Sequence, residues 1–428
     1  MMKDIPHLYS RFLVSSGVST DTRKIEPNSI FFALKGDNFD GNSYADKALE
    51  HGALLAVIDD KTQTGESKML VDDVLETLQD LANYHRKQIK IPIIAITGSN
   101  GKTTTKKLTH EVLSKEFKVK ATLGNLNNHI GVPLTLLSFT AELDLGIVEM
   151  GANHQKEIEA LCKIAEPNYG LITNFGKAHL EGFGGIEGVI KGKSELYDYL
   201  IEHDGLIFFN RDDDLQVEKA IKHKNYSIGE KPLSDCQVIF KEARPFVTVE
   251  YSNLTIHSKL IGRYNFKNIS AAIGIGRYFS VDKEEIKVAI EEFEPEEMRS
   301  QILKKEGKNI LLDAYNANPT SMEAALRSFK QMESGPQSVI LGDMFEVGQD
   351  SSQEHLHILE VCKTLDFDDI LVCGEHFSEA ASAFDKVKGF KTTEELKEFV
   401  KTNKTQLSSN ILIKGSRGMK LESILDVI

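Results

Sequence analysis

The stretch Thr97-Gly98-Ser99-Asn100-Gly101-Lys102-Thr103-Thr104 gathers two glycines, a lysine and consecutive hydroxyls. Residues of these types at this spacing can hold a polyphosphate. Glycines let backbone N–H groups close around phosphate oxygens, and a helix starting at the loop adds partial positive charge. Lys102 supplies a point charge for the outer phosphates, and the Thr103 hydroxyl can ligate Mg²⁺. A strict loop of this kind carries its first glycine at position 96; Ile96 stands there, so this is a variant with Gly98 and Gly101 only. The pattern predicts ATP bound through Gly98, Ser99, Asn100, Gly101, Lys102, Thr103 and Thr104.

The elements around the loop support that reading. Ile91-Pro92-Ile93-Ile94-Ala95-Ile96 is a continuous apolar run suited to a central parallel strand. Leu108, Val112, Leu113 and Phe117 give the following segment an apolar helical side. Leu145–Val148, Gly170–Thr173 and Gly205–Phe209 read as further buried strands alternating with helices, which predicts a doubly wound α/β sheet. Short alternating strands are expected between Val238 and Leu260, and a helix from Asn268 to Tyr278. Before this unit, residues 1–88 read as a small mixed α/β domain with strands at Ser29–Leu34 and Leu54–Ile58, ending in a linker at Lys87–Lys90. After it, the acidic run Glu291–Glu297 marks a second boundary, and four strands (Ile310–Leu312, Ser338–Leu341, Ile370–Val372, Asn410–Ile413) predict a Rossmann-like last domain. The expected division is 1–88, 89–295 and 296–428.

Charge and composition bound the function. The chain of 428 residues is 41% hydrophobic and 27% charged, which excludes a disordered or collagen-like protein. With 51 basic and 64 acidic residues its net charge is −13, a poor match to non-specific nucleic-acid binding. Anionic ligands must instead be met by local devices. Cys162, Cys236, Cys362 and Cys373 are scattered and read as reduced thiols. Without a long apolar run or a signal-like start, a cytoplasmic protein is expected. No heptads or long apolar stripe call for an oligomer, and a monomer is expected.

Two polar residues stand at strand ends near the loop. Glu149 closes a buried strand, where a carboxylate without a partner is costly. His179 follows another strand in a glycine-rich loop; taken alone, a hydrogen-bonded structural histidine is the simpler account.

The wider pattern resembles the Mur ligases, the ATP-dependent amide ligases of peptidoglycan precursor synthesis. Its carriers are the Thr97–Thr104 loop, Gly124-Asn125-Leu126-Asn127-Asn128-His129, Glu149-Met150-Gly151-Ala152-Asn153, Ala178-His179-Leu180-Glu181-Gly182, Lys193-Ser194-Glu195 and Gly262–Asn268. In the last domain, Asp313-Ala314-Tyr315-Asn316-Ala317-Asn318-Pro319, Leu341–Gly348 and Lys414-Gly415-Ser416-Arg417 are similar to the branch that adds D-alanyl-D-alanine to UDP-N-acetylmuramoyl-tripeptide.

The resemblance implies an acyl-phosphate mechanism. ATP phosphorylates the terminal carboxylate, the dipeptide amine attacks, and phosphate leaves. It implies that Lys102, Glu149, His179 and Lys193 are catalytic, and that Thr103, Glu149, His179 and Lys193 hold Mg²⁺, two ions in all. Lys193 aligns with a lysine that family members carbamylate, a change that turns a cation into an anionic ligand. Asn268 is expected at the start of its helix on adenine, with Arg299 and Asp313 near ribose and phosphates. Asn127 and Asn128 are expected at the muramoyl-peptide or its phosphates, Asn316 and Asn318 at substrate, and Ser19, Asp21 and Arg23 at the uridine diphosphate. Lys414, Ser416 and Arg417 are expected to hold the carboxylate of the incoming dipeptide. His355, in an acidic helical segment, reads as solvated and receives no role.

Three alternatives compete: a Mur ligase of another step, a folylpolyglutamate synthase-like ligase, and a non-catalytic nucleotide switch. The Asp313–Pro319 motif and the extra N-terminal domain argue against the folate enzyme. The set Glu149, His179 and Lys193 argues against a switch.

Overall fold

The computed structural model describes residues 4–295, 298–332, 335–403 and 407–428. Glu296 and Glu297, from the expected acidic boundary, lie outside them.

Three parallel or mostly parallel sheets follow one another along the chain. The first is four-stranded, in the order Val18–Ser19, Ile30–Phe32, Leu55–Ile58, Lys68–Leu70, all parallel. The central sheet has seven parallel strands, in the order Cys236–Gln237, Asn225–Gly229, Leu206–Asn210, Tyr169–Ile172, Ile93–Thr97, Leu145–Glu149, Val119–Ala121. The strand feeding the phosphate loop is therefore interior. It is buried on both faces: Ile93 and Ala95 join the core on one side, Ile94 and Ile96 the core on the other. That explains the unbroken apolar run. A three-stranded antiparallel sheet (Ile239–Ala243, Phe246–Tyr251, Leu254–Ile261) follows, as the alternating pattern predicted.

The last sheet has six strands. Gln301–Lys305 pairs antiparallel with Lys308–Asp313; Asn410–Lys414, Gln337–Gly342, Asp369–Cys373 and Val387–Phe390 then continue in parallel. The four predicted strands are present, and two edge strands were missed. One of them, Gln301–Lys305, turns back through Glu306 and Gly307, both at positive φ, a tight hairpin turn without the usual Asn-Gly signal.

Other expectations need correction. Lys87–Lys90 is no linker. Lys87 to Ile89 form the last turn of the helix Val74–Ile89, which Lys90 ends in a left-handed conformation. That helix packs on the helices Gly131–Leu137 and Glu157–Ala165 of the central unit, with Arg86 Nε donating to the Ala165 carbonyl at 2.9 Å. Amphipathic burial overrode the charged appearance of its end. Asn268 does not open its helix; the helix runs Asn265–Tyr278 and Asn268 lies within its first turn. His355 is not solvated. It is fully buried, its Nδ1 bonded to the Ser351 carbonyl at 2.7 Å and its Nε2 accepting from Met344 N at 3.0 Å. The four cysteines are buried free thiols. Among the described residues, no helix is long and apolar enough to cross a membrane.

Candidate active site

The helix Lys102–Leu113 starts where the interior strand Ile93–Thr97 ends, so the intervening loop lies at the C-terminal edge of the sheet, where open α/β sheets bind ligands. Two glycines are required by contact as well as conformation. Gly98 has φ +135, and a Cβ there would lie 2.1 Å from Thr173 Oγ1; Gly101 has φ +81, and its Cβ would meet Asn268 Oδ1 at 2.4 Å. The loop is pinned from the neighbouring strand. Ser99 Oγ donates to the Gly176 carbonyl at 2.8 Å, and Thr173 Oγ1 and Asn174 Nδ2 donate to the Asn100 carbonyl at 2.6 and 2.8 Å.

A cavity of about 950 Å³ opens above this edge. From the central unit its wall includes Ser99, Asn100, Gly101, Lys102, Thr103, Thr104, Asn127, Asn128, Glu149, His179 and Asn268. From the last unit it includes Arg299, Asp313, Tyr315, Asn316 and Lys414. The wall draws on residues as far apart in sequence as Ser99 and Lys414, because two sheets present their C-terminal strand ends to one space.

Within the wall, Glu149 is the focus. Only 1% exposed, it accepts from Thr103 Oγ1 at 3.2 Å and Asn127 Nδ2 at 2.8 Å through Oε1. Its Oε2 makes no hydrogen bond and lies 3.2 Å from Lys106 Nζ in an ion pair. A buried carboxylate oxygen beside a hydroxyl, on the cavity wall, is a hard-oxygen donor set of the kind Mg²⁺ takes, so these residues fit that ion. Among the described residues, no three His, Cys, Asp or Glu side chains converge as a ready-made metal cage. His179 lies on the wall at φ +53, but its Nδ1 is bonded to Glu346 Oε2 of the last unit. Burial lowers its pKa, Lys102 pushes in the same direction, and Glu346 opposes them.

Lys102 folds back on the loop, its Nζ donating to the Gly98 carbonyl at 2.7 Å and the Ser99 carbonyl at 3.2 Å. Desolvation draws its pKa below the usual lysine value; Glu149 opposes this and Arg299 adds to it. Lys193, in the helix Ile186–Glu202, does not line the cavity. It is fully buried behind Ala152, donating to that carbonyl at 2.9 Å, with the Phe183 ring 5.0 Å away. Burial, reinforced by Lys102, draws its pKa well down.

The remaining predicted residues divide. Asn268 is held by its own surroundings, accepting from Thr105 Oγ1 at 3.2 Å and donating to Asn265 Oδ1 at 2.7 Å. Asn128 Oδ1 accepts from the N–H groups of Ile130 and Gly131 where the helix Gly131–Leu137 begins. Asn318 donates to Asn100 Oδ1 at 2.7 Å, bridging the last unit to the phosphate loop. Asp313 and Lys414, expected on different ligands, pair with each other at 2.6 Å, and Lys414 also reaches the Asn316 carbonyl at 3.1 Å. Ser416, buried and off the cavity wall, accepts from Phe345 N at 3.0 Å. The guanidinium carbons of Arg299 and Arg417 lie 3.8 and 5.2 Å from the Tyr315 ring centre. In the first unit, away from the cavity, Arg23 forms a two-pronged pair with Asp21, whose neighbour Ser19 Oγ donates to the Asp21 carbonyl at 3.0 Å.

Sequence reasoning missed Lys106, Tyr315 and Glu346 as individual contributors. Lys106 carried a readable signal: three residues after Thr103, it shares a helix face with it. Glu346 carried none, since its partner His179 is 167 residues away.

The interior parallel sheet, the glycine loop and the facing second sheet define a class, and the comparisons bear it out. The chain belongs to the Mur ligase family: three family models match it in succession, "Mur ligase family, catalytic domain" over 15–97, "Mur ligase middle domain" over 96–276 and "Mur ligase, glutamate ligase domain" over 298–417. More narrowly, it is similar to UDP-N-acetylmuramoyl-tripeptide–D-alanyl-D-alanine ligases. That of Bacillus subtilis is 34% identical, covering 96% of this chain and 93% of its own. That of Haemophilus influenzae is 33% identical, over 95% and 92%. Among solved structures, MurF from Acinetobacter baumannii superposes with a TM-score of 0.87 at 31% identity, covering 96% of this chain and 92% of that one.

Proposed function

We propose that this protein is an ATP-dependent amide ligase joining D-alanyl-D-alanine to the terminal carboxylate of UDP-N-acetylmuramoyl-tripeptide, which yields the pentapeptide precursor of peptidoglycan. The observation that carries the reading is the shared cavity in which the phosphate loop faces the strand ends of the last sheet. A triphosphate, a carboxylate and an amine can meet there.

The chemistry has two displacements. The tripeptide carboxylate oxygen attacks the γ-phosphorus, forming an acyl phosphate as the bond to ADP breaks. The dipeptide nitrogen then attacks the acyl carbon, phosphate leaves, and the nitrogen gives up a proton. The first step crowds anions in an acidic protein. Lys102 meets the outer phosphates, exchanging its bonds to the Gly98 and Ser99 carbonyls for them, while the N–H groups of Gly101 to Thr104 orient the chain of phosphates. Thr103 and Glu149 would hold Mg²⁺, with His179 and a carbamylated Lys193 as the further ligands of two ions, and the metal would supply charge neutralisation at the transferring phosphoryl group. A neutral Lys193 amine can add CO₂, forming a carbamate with loss of a proton; its burial and depressed pKa supply the neutral amine. Arg299 and Asp313 flank the nucleotide, and Ser19, Asp21 and Arg23 receive the uridine diphosphate. Arg417 beside Tyr315 receives the dipeptide carboxylate. A cytoplasmic location and a monomeric state belong to the same proposal.

The test is ADP release coupled to a reporter, with UDP-N-acetylmuramoyl-tripeptides ending in diaminopimelate or lysine. ADP formation that depends on D-alanyl-D-alanine is expected with one or both. ADP formation driven instead by glutamate and a folate, or none with the dipeptide, overturns the proposal.

A further inference from the structure

Lys106 is a fully enclosed lysine that the reaction does not touch. It lies one helical turn after Thr103, on the same face of the helix Lys102–Leu113, and is 1% exposed. Both side chains reach Glu149, Thr103 at one carboxylate oxygen and Lys106 at the other, each at 3.2 Å. Lys106 Nζ also donates to the Gly124 carbonyl at 3.2 Å. Glu149 lines the cavity, whereas Lys106 stands behind it.

We infer that Lys106 is a positioning residue for Glu149 that makes divalent-cation capture at this site depend on bound nucleotide. The inference rests on the reading of Thr103 and Glu149 as the cation-holding pair. A carboxylate this deeply buried needs a partner, and Lys106 provides one from the protein side. The pair is formally neutral. A divalent ion arriving alone meets a ligand whose charge is already balanced by a neighbouring cation, so it gains little. A triphosphate in the loop adds several negative charges to the same wall and shifts the balance towards the metal. Lys106 thus fixes the order in which charges assemble: the carboxylate is held in place beforehand, and the cation is retained only with the phosphates.

The experiment titrates Mn²⁺ into the full-length protein, reading free Mn²⁺ by electron paramagnetic resonance, with and without a non-hydrolysable ATP analogue. Wild type is expected to take up Mn²⁺ tightly only with the nucleotide. Lys106→Met should bind Mn²⁺ without nucleotide at least about tenfold more tightly than wild type, because a unit charge a few ångströms away is removed. Lys106→Arg should restore the nucleotide dependence, which a merely structural role for the side chain would not require. If Lys106→Met is unfolded alone but gains its fold with Mn²⁺, the inference is supported. If it stays unfolded, Lys106→Gln, which keeps a polar donor near the Gly124 carbonyl and drops the charge, decides by the same affinity criterion. Unchanged or weaker Mn²⁺ binding in the uncharged variant, alongside normal uptake by wild type with nucleotide, overturns the role of Lys106 alone. No uptake by wild type even with nucleotide overturns the underlying reading of Thr103 and Glu149.

Discussion

Two buried lysine–carboxylate pairs face the same cavity and differ in how completely they are satisfied. Lys414 and Asp313 are register partners on adjacent parallel strands, 2.6 Å apart, with the Asn316 carbonyl as a second acceptor and Ser300 N donating to Asp313 at 3.3 Å. Lys106 and Glu149 come from a helix and a strand, meet at 3.2 Å, and leave Glu149 Oε2 without a hydrogen bond. The first pair fastens the strand ends of the last sheet. The second keeps a carboxylate oxygen in reserve on the wall of the central unit. Residue types alone would give all four the same reading; saturation of their bonds separates structure from chemistry.

The comparison can be broken or sharpened by substitution. The largest effect belongs to the central unit. Lys193→Ala is expected to lower turnover about a thousandfold, as for loss of a group that supports developing charge, while calorimetry still finds nucleotide bound. Wild-type turnover would remove Lys193 from the chemistry. On the other sheet the loss should be one of stability. Lys414→Met leaves Asp313 without its charged partner, and a destabilisation of about 3 kcal/mol is expected from denaturant midpoints. Unchanged stability with a raised KM for the dipeptide would instead make Lys414 a substrate group, and the contrast between the pairs would fail.

The seam between the two units gives a smaller effect. Glu346→Gln removes the charge opposite His179 but spares the backbone bond from Glu181 N to the Glu346 carbonyl at 3.3 Å. A half-exposed ion pair of this kind is worth about 1 kcal/mol or less, so kcat/KM should fall no more than about fivefold. The His179 pKa should fall further below its ordinary value, since Glu346 opposes the effect of burial; NMR titration reads this directly. Smallest is a control far from the cavity. Hydrogen bonds from Arg23 draw the Asp21 carboxyl down from 3.8 to about 2. Any contribution to stability is therefore complete above about pH 4 and lost as pH falls through 2; because the pair is exposed and screened by solvent that contribution is small, so Arg23→Ala should return the titration midpoint towards 3.8 with almost no change in stability at neutral pH.

Much of this protein is legible in order along the chain. Eight consecutive residues mark the phosphate loop because its chemistry lies largely in backbone conformation, which those residue types declare locally. Apolar runs of strand length, alternating with helical patterns, announced the doubly wound sheets and hence which edge would carry Glu149, Asp313 and Lys414. Short edge strands such as Gln301–Lys305 escaped because half-exposed alternation leaves a weak signal. The end of the helix Val74–Ile89 was misread because its burial against the central unit is not a local property. Only the tertiary structure decided who partners whom. Asp313 meets Lys414 across 101 residues, Thr103 meets Glu149 across 46 and His179 meets Glu346 across 167, and each meeting follows from strand register and from two sheets facing one space. Residue types record what a side chain is able to do; the charges and hydrogen bonds that surround it, which the fold alone assembles, select what it does.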